Sequence, residues 1–219
     1  MTAWHVNSDG ALDHPVFTRH PEPEAWLAGA SLYECLDFPD PTLRRAIAVH
    51  EAGHAVLSMV FGIPVVEIRL REDLGKTPGE GGAAWVKTGG TWSVSYMRYA
   101  AMCAAGERAQ DRWMREMGLW TAQRAWAVER AAGDDRSNLA ETLRTACSTD
   151  LHFGANRRGV QYSTVQAVAD SALSHLWDRL LRLAEAIDDR GHLTGREAAR
   201  HADLTYVAVP YEGTEGVAA

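Results

Sequence analysis

The chain has 219 residues, three cysteines and a formal net charge of −7. This length suits one domain with a substantial core, and the acidic balance disfavours a nucleic-acid-binding surface. The longest mostly apolar run, residues 55–68, is interrupted by Gly62 and Pro64 and is too short to span a membrane.

The N-terminus and the cysteines indicate the compartment. Residues 1–10 have neither a basic start nor an apolar core, so we expect no secretory signal. Cys35, Cys103 and Cys147 are far apart and include no Cys-x-x-Cys pair, which suits reduced thiols. We therefore expect a cytoplasmic protein, in which Cys103 and Cys147 are small core residues on helices.

The domain organisation follows from changes in composition. Residues 1–39 contain four prolines and show little periodicity. We interpret them as an N-terminal extension that wraps around the core or is partly disordered, with a short helix near residues 24–32. The main domain is predicted to occupy residues 40–205, and residues 206–219 are predicted to form a flexible tail.

A capped helix is predicted between Asp40 and Gly62. Asp40 followed by Pro41 is typical of an N-cap and a first helical position, and Gly62 is typical of a C-terminal stop. Apolar residues recur between these ends at helical spacing, namely Leu43, Ile47, Val49, Val56, Leu57, Val60 and Phe61.

This predicted helix contains the sequence His50-Glu51-Ala52-Gly53-His54. His50 and His54 lie one turn apart on the same helix face, so two imidazoles can bind one ion. Glu51 is placed to hold and deprotonate a water bound to that ion. The alternative is a pair of core histidines with hydrogen-bond partners. Because two histidines and a glutamate on a mostly apolar helix are costly to bury without a partner, we expect a metal site.

Two strands are predicted after this helix. Apolar and polar residues alternate over residues 64–71, as in a half-buried strand. A Gly-rich stretch, residues 74–82, leads to a second strand at residues 83–88. The stretch lacks the Walker A spacing, because Leu70 stands where that motif requires glycine, so we expect no ATP site.

The rest of the chain is predicted to be helical, with a turn at residues 133–137. Thr194 and Glu197 form a capping box that begins the last helix. The fold class is therefore expected to be mainly α, with a small strand pair near the metal-binding helix. Helices are expected at residues 93–118, 119–132, from the turn to 147, 165–187 and 194–203.

A catalytic zinc usually has three protein ligands and one position for water. The metzincin spacing would need a glycine three residues after His54 and a histidine three further on, but the chain has Leu57 and Val60 there. A thermolysin-like site would take a glutamate from a downstream helix, and Glu107 is available. Because its neighbours in sequence are charged, we expect Glu107 to lie on a solvated face.

A better candidate for the third ligand is Asp135. If Asp135 begins the next helix, Leu139 and Leu143 follow on the same face, so the carboxylate lies beside the core. Starting the count at Asp134 or Asn138 gives a poorer apolar face. We therefore expect Asp135 to be the ligand. The alternatives are Asp134, or two aspartates that only cap a helix.

The order of these features resembles the protease domain of the FtsH-type zinc metallopeptidases. In that family, a His-Glu-Ala-Gly-His-Ala helix is followed by a strand pair around a Gly-rich turn. A helix with a Gly-x-Arg-Ala-Ala-Glu-like stretch and a turn with the third ligand, an aspartate, come next. The resemblance covers about residues 41–203, and its matching segments are residues 50–55, 65–86, 105–109, 133–143, 165–187 and 193–197.

The resemblance implies a helical, zincin-like domain with zinc on His50, His54 and Asp135 and with Glu51 as the general base. Three features depart from the family. We find no counterpart of its ATPase module and membrane anchor. The segment between residues 109 and 133 is longer than usual, and the aspartate turn reads Asp-Asp-Arg-Ser-Asn-Leu instead of containing Asn-Asp-Leu.

We therefore expect a zinc-dependent, ATP-independent endopeptidase that cleaves flexible peptides or unfolded proteins. An extended substrate is expected to pair with the edge of the strand pair. The alternative is a non-catalytic protein of the same fold that serves as a binding or assembly module. We expect no membrane span and no nucleic-acid partner, and the eight tryptophans are compatible with a homo-oligomer interface.

Overall fold

The computed structural model describes residues 4–7, 16–74, 83–90, 93–154 and 158–209. Helices predominate within them, and the strands are short. The helices are α1 (Glu24–Leu27), α2 (Leu32–Leu36), α3 (Asp40–Phe61), α4 (Tyr96–Glu116), α5 (Ala122–Ala131), α6 (Gly133–Cys147), α7 (Tyr162–Arg190) and α8 (Gly195–His201). The strands are β1 (His5–Asn7), β2 (Val16–Thr18), β3 (Val65–Leu70), β4 (Ala84–Thr88), β5 (Leu151–His152), β6 (Val160–Gln161) and β7 (His192–Thr194).

The long helices α3, α4 and α7 pack against one another and form the centre of the core. Buried alanines are frequent on the facing sides of α3 and α4. Because these side chains are short, the two helix backbones come close together. At Gly53 the approach is so close that an added Cβ atom would lie 2.6 Å from the carbonyl oxygen of Ala105. The crossing of α3 and α4 therefore requires glycine at this position.

Helix α3 has the predicted C-terminus but starts differently. Gly62 follows the helix in the left-handed conformation, with a φ of 81°, which confirms the predicted stop. The prediction that Asp40 is the N-cap is wrong, because extended backbone at Pro39 lets the helix begin one residue earlier. Asp40 therefore lies in the first turn, where a carboxylate still interacts favourably with the helix dipole.

The predicted strand pair is part of a three-stranded antiparallel sheet with the order β4-β3-β7. Ile68 in the central strand β3 pairs with Val86 of β4 on one side and with Leu193 of β7 on the other. The strand β7 was not predicted, because its three residues are too few for an alternating pattern. Within the described residues, β4 is an edge strand of this sheet.

The N-terminal extension packs on the core through strands β1 and β2 and helices α1 and α2. The predicted helix at residues 24–32 is instead divided into α1 and α2, and Gly29 between them has a φ of 94°. Cys35 and Leu36 of α2 are buried in the main core. The Trp126 indole donates a hydrogen bond of 2.9 Å to the side-chain oxygen of Asn7. The described residues of the extension, 4–7 and 16–39, therefore pack as part of the domain.

Helix α6 begins directly after α5, so the predicted turn at residues 133–137 is its first turn. Leu139 and Leu143 are buried, as predicted. Cys103 is also buried, but Cys147 is exposed, and its prediction as a core residue is wrong. The last turn of α6 extends beyond the core, so the helical spacing there no longer indicates burial.

Helices α7 and α8 are found where helices were predicted, whereas the strand β7 between them was not predicted. The capping box is confirmed: Glu197 N–H donates to the Thr194 hydroxyl (3.3 Å), and Thr194 N–H donates to the Glu197 carboxylate (2.9 Å). Residues 75–82 and 210–219, which include most of the Gly-rich stretch and of the predicted tail, lie outside the described residues. Among the helices that the structure describes, none is long and apolar enough to cross a membrane.

We predict that Gly53→Ala destabilises the protein. The added methyl group would overlap the Ala105 carbonyl, and overpacking of this kind lowers the free energy of unfolding by about 1–3 kcal/mol. Gly133→Ala is the matched control, because a Cβ atom there meets no atom within 4 Å. Urea denaturation of both variants measures the difference. Equal stability of Gly53→Ala and the wild type would contradict the close helix crossing.

Candidate metal centre

The two histidines of α3 lie on one helix face, as their spacing predicts. Their Nε2 atoms are 3.0 Å apart, and their rings are inclined to each other by 65°. His54 is buried and His50 is half-buried. The two nitrogens therefore converge on one point beside α3.

The third side chain comes from the first turn of α6. Atom Oδ2 of Asp135 lies 3.4 Å from Nε2 of His50 and 3.2 Å from Nε2 of His54. These three residues form a group that could hold a metal ion. Asp134 and Asn138, the other candidates in this segment, are exposed in the wall of the same cleft. The structure thus brings together the two histidines and the aspartate that the sequence favours.

The separations between these atoms fit one tetrahedral ion. Ligand atoms at zinc distances lie about 3.3 Å apart at the corners of a tetrahedron. The three observed separations, 3.0, 3.2 and 3.4 Å, are close to this value. Catalytic zinc sites have three protein ligands and keep one position for water or substrate. The three side chains match that arrangement in number and chemistry.

Hydrogen bonds to the far side of each imidazole orient its Nε2 atom towards the site. Nδ1 of His54 is 2.8 Å from the carbonyl oxygen of Met102 and can only donate to it. Nδ1 of His50 lies 3.3 Å from the amide oxygen of Gln110. Both partners belong to α4. When Nδ1 carries the proton of a neutral imidazole, the lone pair is on Nε2, as a metal ligand requires.

The space in front of these two nitrogens exists because residue 106 of α4 is a glycine and has no side chain. A Cβ atom at this position would lie 2.3 Å from Nε2 of His54 and 2.4 Å from Nε2 of His50. Any other residue would therefore fill the volume between the two imidazoles and α4. The residues present fit a metal ion, because their donor atoms face a space that a methyl group would occupy.

The electrostatic states of His54 and Asp135 are coupled. Burial alone would lower the pKa of His54, but the charge of Asp135 and its hydrogen bond outweigh burial and raise this pKa to about 9. Burial would also favour neutral Asp135, but His54 and the hydrogen bonds from both imidazoles hold the pKa of its carboxyl well below the usual range. At neutral pH and without a cation, the buried His54 and the half-buried Asp135 therefore share a proton.

Glu51 lines the same cleft as the three candidate ligands and is buried. Burial raises the pKa of Glu51, and the nearby charges of His50 and His54 offset this effect only in part. A carboxylate with a raised pKa accepts a proton more readily than an exposed one, which suits a general base.

A buried ion pair next to Asp135 holds α6 in place. The Arg136 guanidinium donates to the Glu107 carboxylate, which also accepts a hydrogen bond of 2.6 Å from Gln166 of α7. Arg136 donates in addition to the carbonyl oxygen of Phe17 in the extension. The prediction that Glu107 lies on a solvated face is wrong, because its partners come from distant segments that sequence spacing does not reveal.

The candidate metal centre lies in a cleft of about 530 Å³. Helix α2 of the extension, helices α3, α4 and α6, and the edge strand β4 all contribute to its walls. From β4 and the residue before it, the lining residues are Ala83, Ala84, Trp85, Val86 and Thr88. The edge of the sheet therefore borders the space in front of the histidines.

Comparisons with known proteins leave the family open. No model of a known protein family matches the chain, and no curated protein sequence matches it. The resemblance to FtsH-type metallopeptidases thus stays a prediction from the sequence.

We predict that Asp135→Asn greatly weakens zinc binding, whereas Asp134→Asn leaves it unchanged. Of these two aspartates, Asp135 is the one whose carboxylate contacts both imidazoles, and a neutral amide is a poor zinc ligand. The expected loss for Asp135→Asn is at least about tenfold in affinity, as for other changes near metal ligands. Competition with a chromogenic chelator measures both variants. An equal loss of zinc affinity in both variants would show that Asp135 is not the third ligand.

We also predict that zinc affinity rises with pH. The pKa of His54 is raised to about 9, so below this pH the ion must displace a proton from His54. The apparent affinity should therefore increase about tenfold per pH unit between about pH 6 and 8. Calorimetry in buffers of different ionisation enthalpy should detect the release of about one proton. A zinc affinity that does not change with pH would contradict the shared proton between His54 and Asp135.

Proposed function

We propose that the chain is a zinc-dependent metalloendopeptidase with an FtsH-like catalytic site. The observation that carries the proposal is the convergence of His50, His54 and Asp135, with Glu51 buried beside them. Two imidazole nitrogens and one carboxylate oxygen suit zinc better than magnesium or calcium, which prefer oxygen ligands. These three residues would hold the ion.

Bound zinc supplies a Lewis acid that polarises the scissile carbonyl and acidifies water. The side chains of the chain perform the remaining tasks. Glu51 accepts a proton from water and then passes it to the nitrogen of the leaving amine. Its raised pKa suits both steps. The carboxylate is basic enough to take a proton from water, and the carboxylic acid is still acidic enough to give that proton to the amine nitrogen.

The substrate is proposed to be an extended peptide that lies along β4. This strand is one of the two edges of the described sheet and borders the cleft. A peptide that adds to such an edge is held by main-chain hydrogen bonds, which depend little on its sequence. We therefore expect cleavage of flexible segments and unfolded proteins.

The alternative proposal is a non-catalytic binding or assembly protein. Loss of the third ligand or of the glutamate would be expected for such a protein, and the position of Asp135 and the burial of Glu51 favour catalysis instead. Cytoplasmic location, independence of ATP and homo-oligomer formation stay predictions. The three free cysteines agree with the first of them.

We predict that Glu51→Gln lowers peptide cleavage by about a thousandfold, because the amide cannot accept the proton from water. Zinc binding should be unchanged, since Glu51 is not one of the three candidate ligands. Glu185→Gln on the exposed side of α7 is the control and should cleave like the wild type. Cleavage of unfolded casein and zinc content measure the two effects.

The combined result separates the two proposals. Wild-type protein that binds zinc but cleaves no unfolded protein would favour the non-catalytic alternative. Full activity in Glu51→Gln would remove the role of this residue as general base.

A further inference from the structure

One end of the cleft is apolar, and the N-terminal extension forms part of it. The candidate ligands and Glu51 contribute ionisable groups to the lining of the cleft. The lining residues that come from α2 and from the first two turns of α3 have apolar or aromatic side chains, and they form what we call the apolar end of the cleft. They are Leu32, Tyr33 and Leu36 from α2, and Leu43 and Ile47 from α3.

This apolar end is adjacent to the candidate metal centre. Ile47 precedes His50 by three residues and Glu51 by four, so it lies on the same helix face, one turn away. One turn corresponds to about 5.4 Å along the helix axis. Neighbouring residues of an extended peptide are about 3.8 Å apart between Cα atoms. A peptide bond at the centre therefore places an adjoining side chain within reach of the apolar end.

Helix α2 is fixed in this position by side chains of α5. Gln123 donates a hydrogen bond of 2.9 Å to the carbonyl oxygen of Cys35, and Arg124 donates one of 2.7 Å to that of Leu36. The Tyr33 hydroxyl donates to the carbonyl oxygen of Leu74 at 2.7 Å. These contacts connect α2 to the segments on either side of it. The apolar wall is therefore pre-formed, as binding pockets usually are.

We propose that helix α2 of the extension, together with Leu43 and Ile47, forms a specificity subsite for a large apolar side chain next to the scissile bond. The inference rests on the proposed peptidase function and names the class of substrate. A side chain the size of leucine or phenylalanine removes from water its own apolar surface and that of the half-buried Leu32, Tyr33 and Ile47, which the buried Leu36 and Leu43 support from behind. A charged side chain finds no partner among the described residues at this end and is disfavoured by desolvation.

The binding test uses Glu51→Gln loaded with zinc and dye-labelled hexapeptides Ala-Ala-X-Ala-Ala-Ala, with X as phenylalanine, leucine, serine or lysine. Fluorescence anisotropy measures affinity without any cleavage. The phenylalanine and leucine peptides should bind at least about tenfold more tightly than the serine and lysine peptides. Equal affinity for all four peptides would overturn the subsite.

Leu32→Ala in the Glu51→Gln background should remove most of this preference, because it shortens one wall of the subsite. The matched control is Leu27→Ala, since Leu27 belongs to α1, is 69% exposed and does not line the cleft. Leu32→Trp should instead fill the subsite and weaken binding of the phenylalanine peptide more than that of the serine peptide. An equal effect of Leu27→Ala and Leu32→Ala would contradict the assignment to α2.

Cleavage of the same peptides by the zinc-loaded wild type separates this inference from the proposed function. Cleavage adjoining X, at least about tenfold faster for phenylalanine than for serine, supports both. Cleavage that is independent of X overturns the subsite but leaves the peptidase intact. Selective binding without any cleavage overturns the peptidase and leaves an apolar peptide-binding cleft.

Discussion

The close crossing of α3 and α4 is the constraint on which the candidate metal centre depends. At Gly53 the backbones approach until no Cβ atom fits, and at Gly106 the same approach brings α4 up to the two imidazoles. The carbonyl and amide oxygens that orient His50 and His54 are on α4 as well. A wider crossing would lose both the orienting hydrogen bonds and the enclosed space. The short side chains in this contact are therefore part of the site.

Two neighbouring groups of charges meet at the first turn of α6, and the charges within each group balance one another. In the first, the negative Asp135 faces two histidines, and a proton or a cation can compensate it. In the second, Arg136 is paired with Glu107. Burying Arg136 or Glu107 without its partner would cost several kcal/mol, so each needs the other. Asp135 and Arg136 are adjacent residues of α6. The ion pair between Arg136 and Glu107 therefore fixes the helix turn that holds Asp135 in front of the histidines.

The local pattern of the sequence predicts much of this arrangement. Helical spacing locates α3 and α7, and the face shared with Leu139 and Leu143 selects Asp135 among its neighbours. The pattern fails where the deciding partner is distant. Glu107 has charged neighbours in sequence but buried partners in α6 and α7, and β7 is a strand only because β3 lies next to it. The packing of the extension depends in the same way on contacts with α5. The helix was predicted, but no local pattern reveals these contacts.

The contacts of the extension also have a consequence for the order of folding during synthesis. The partners of Asn7 and Arg19 on α5 are 119 and 110 residues further along the chain, so these contacts form only after α5 leaves the ribosome. Helix α6 follows at once, and it supplies both the Arg136 contact to Phe17 and the Asp135 carboxylate. During synthesis, the full set of candidate metal ligands is therefore complete at the same stage at which strands β1 and β2 and Arg19 dock on α5 and α6.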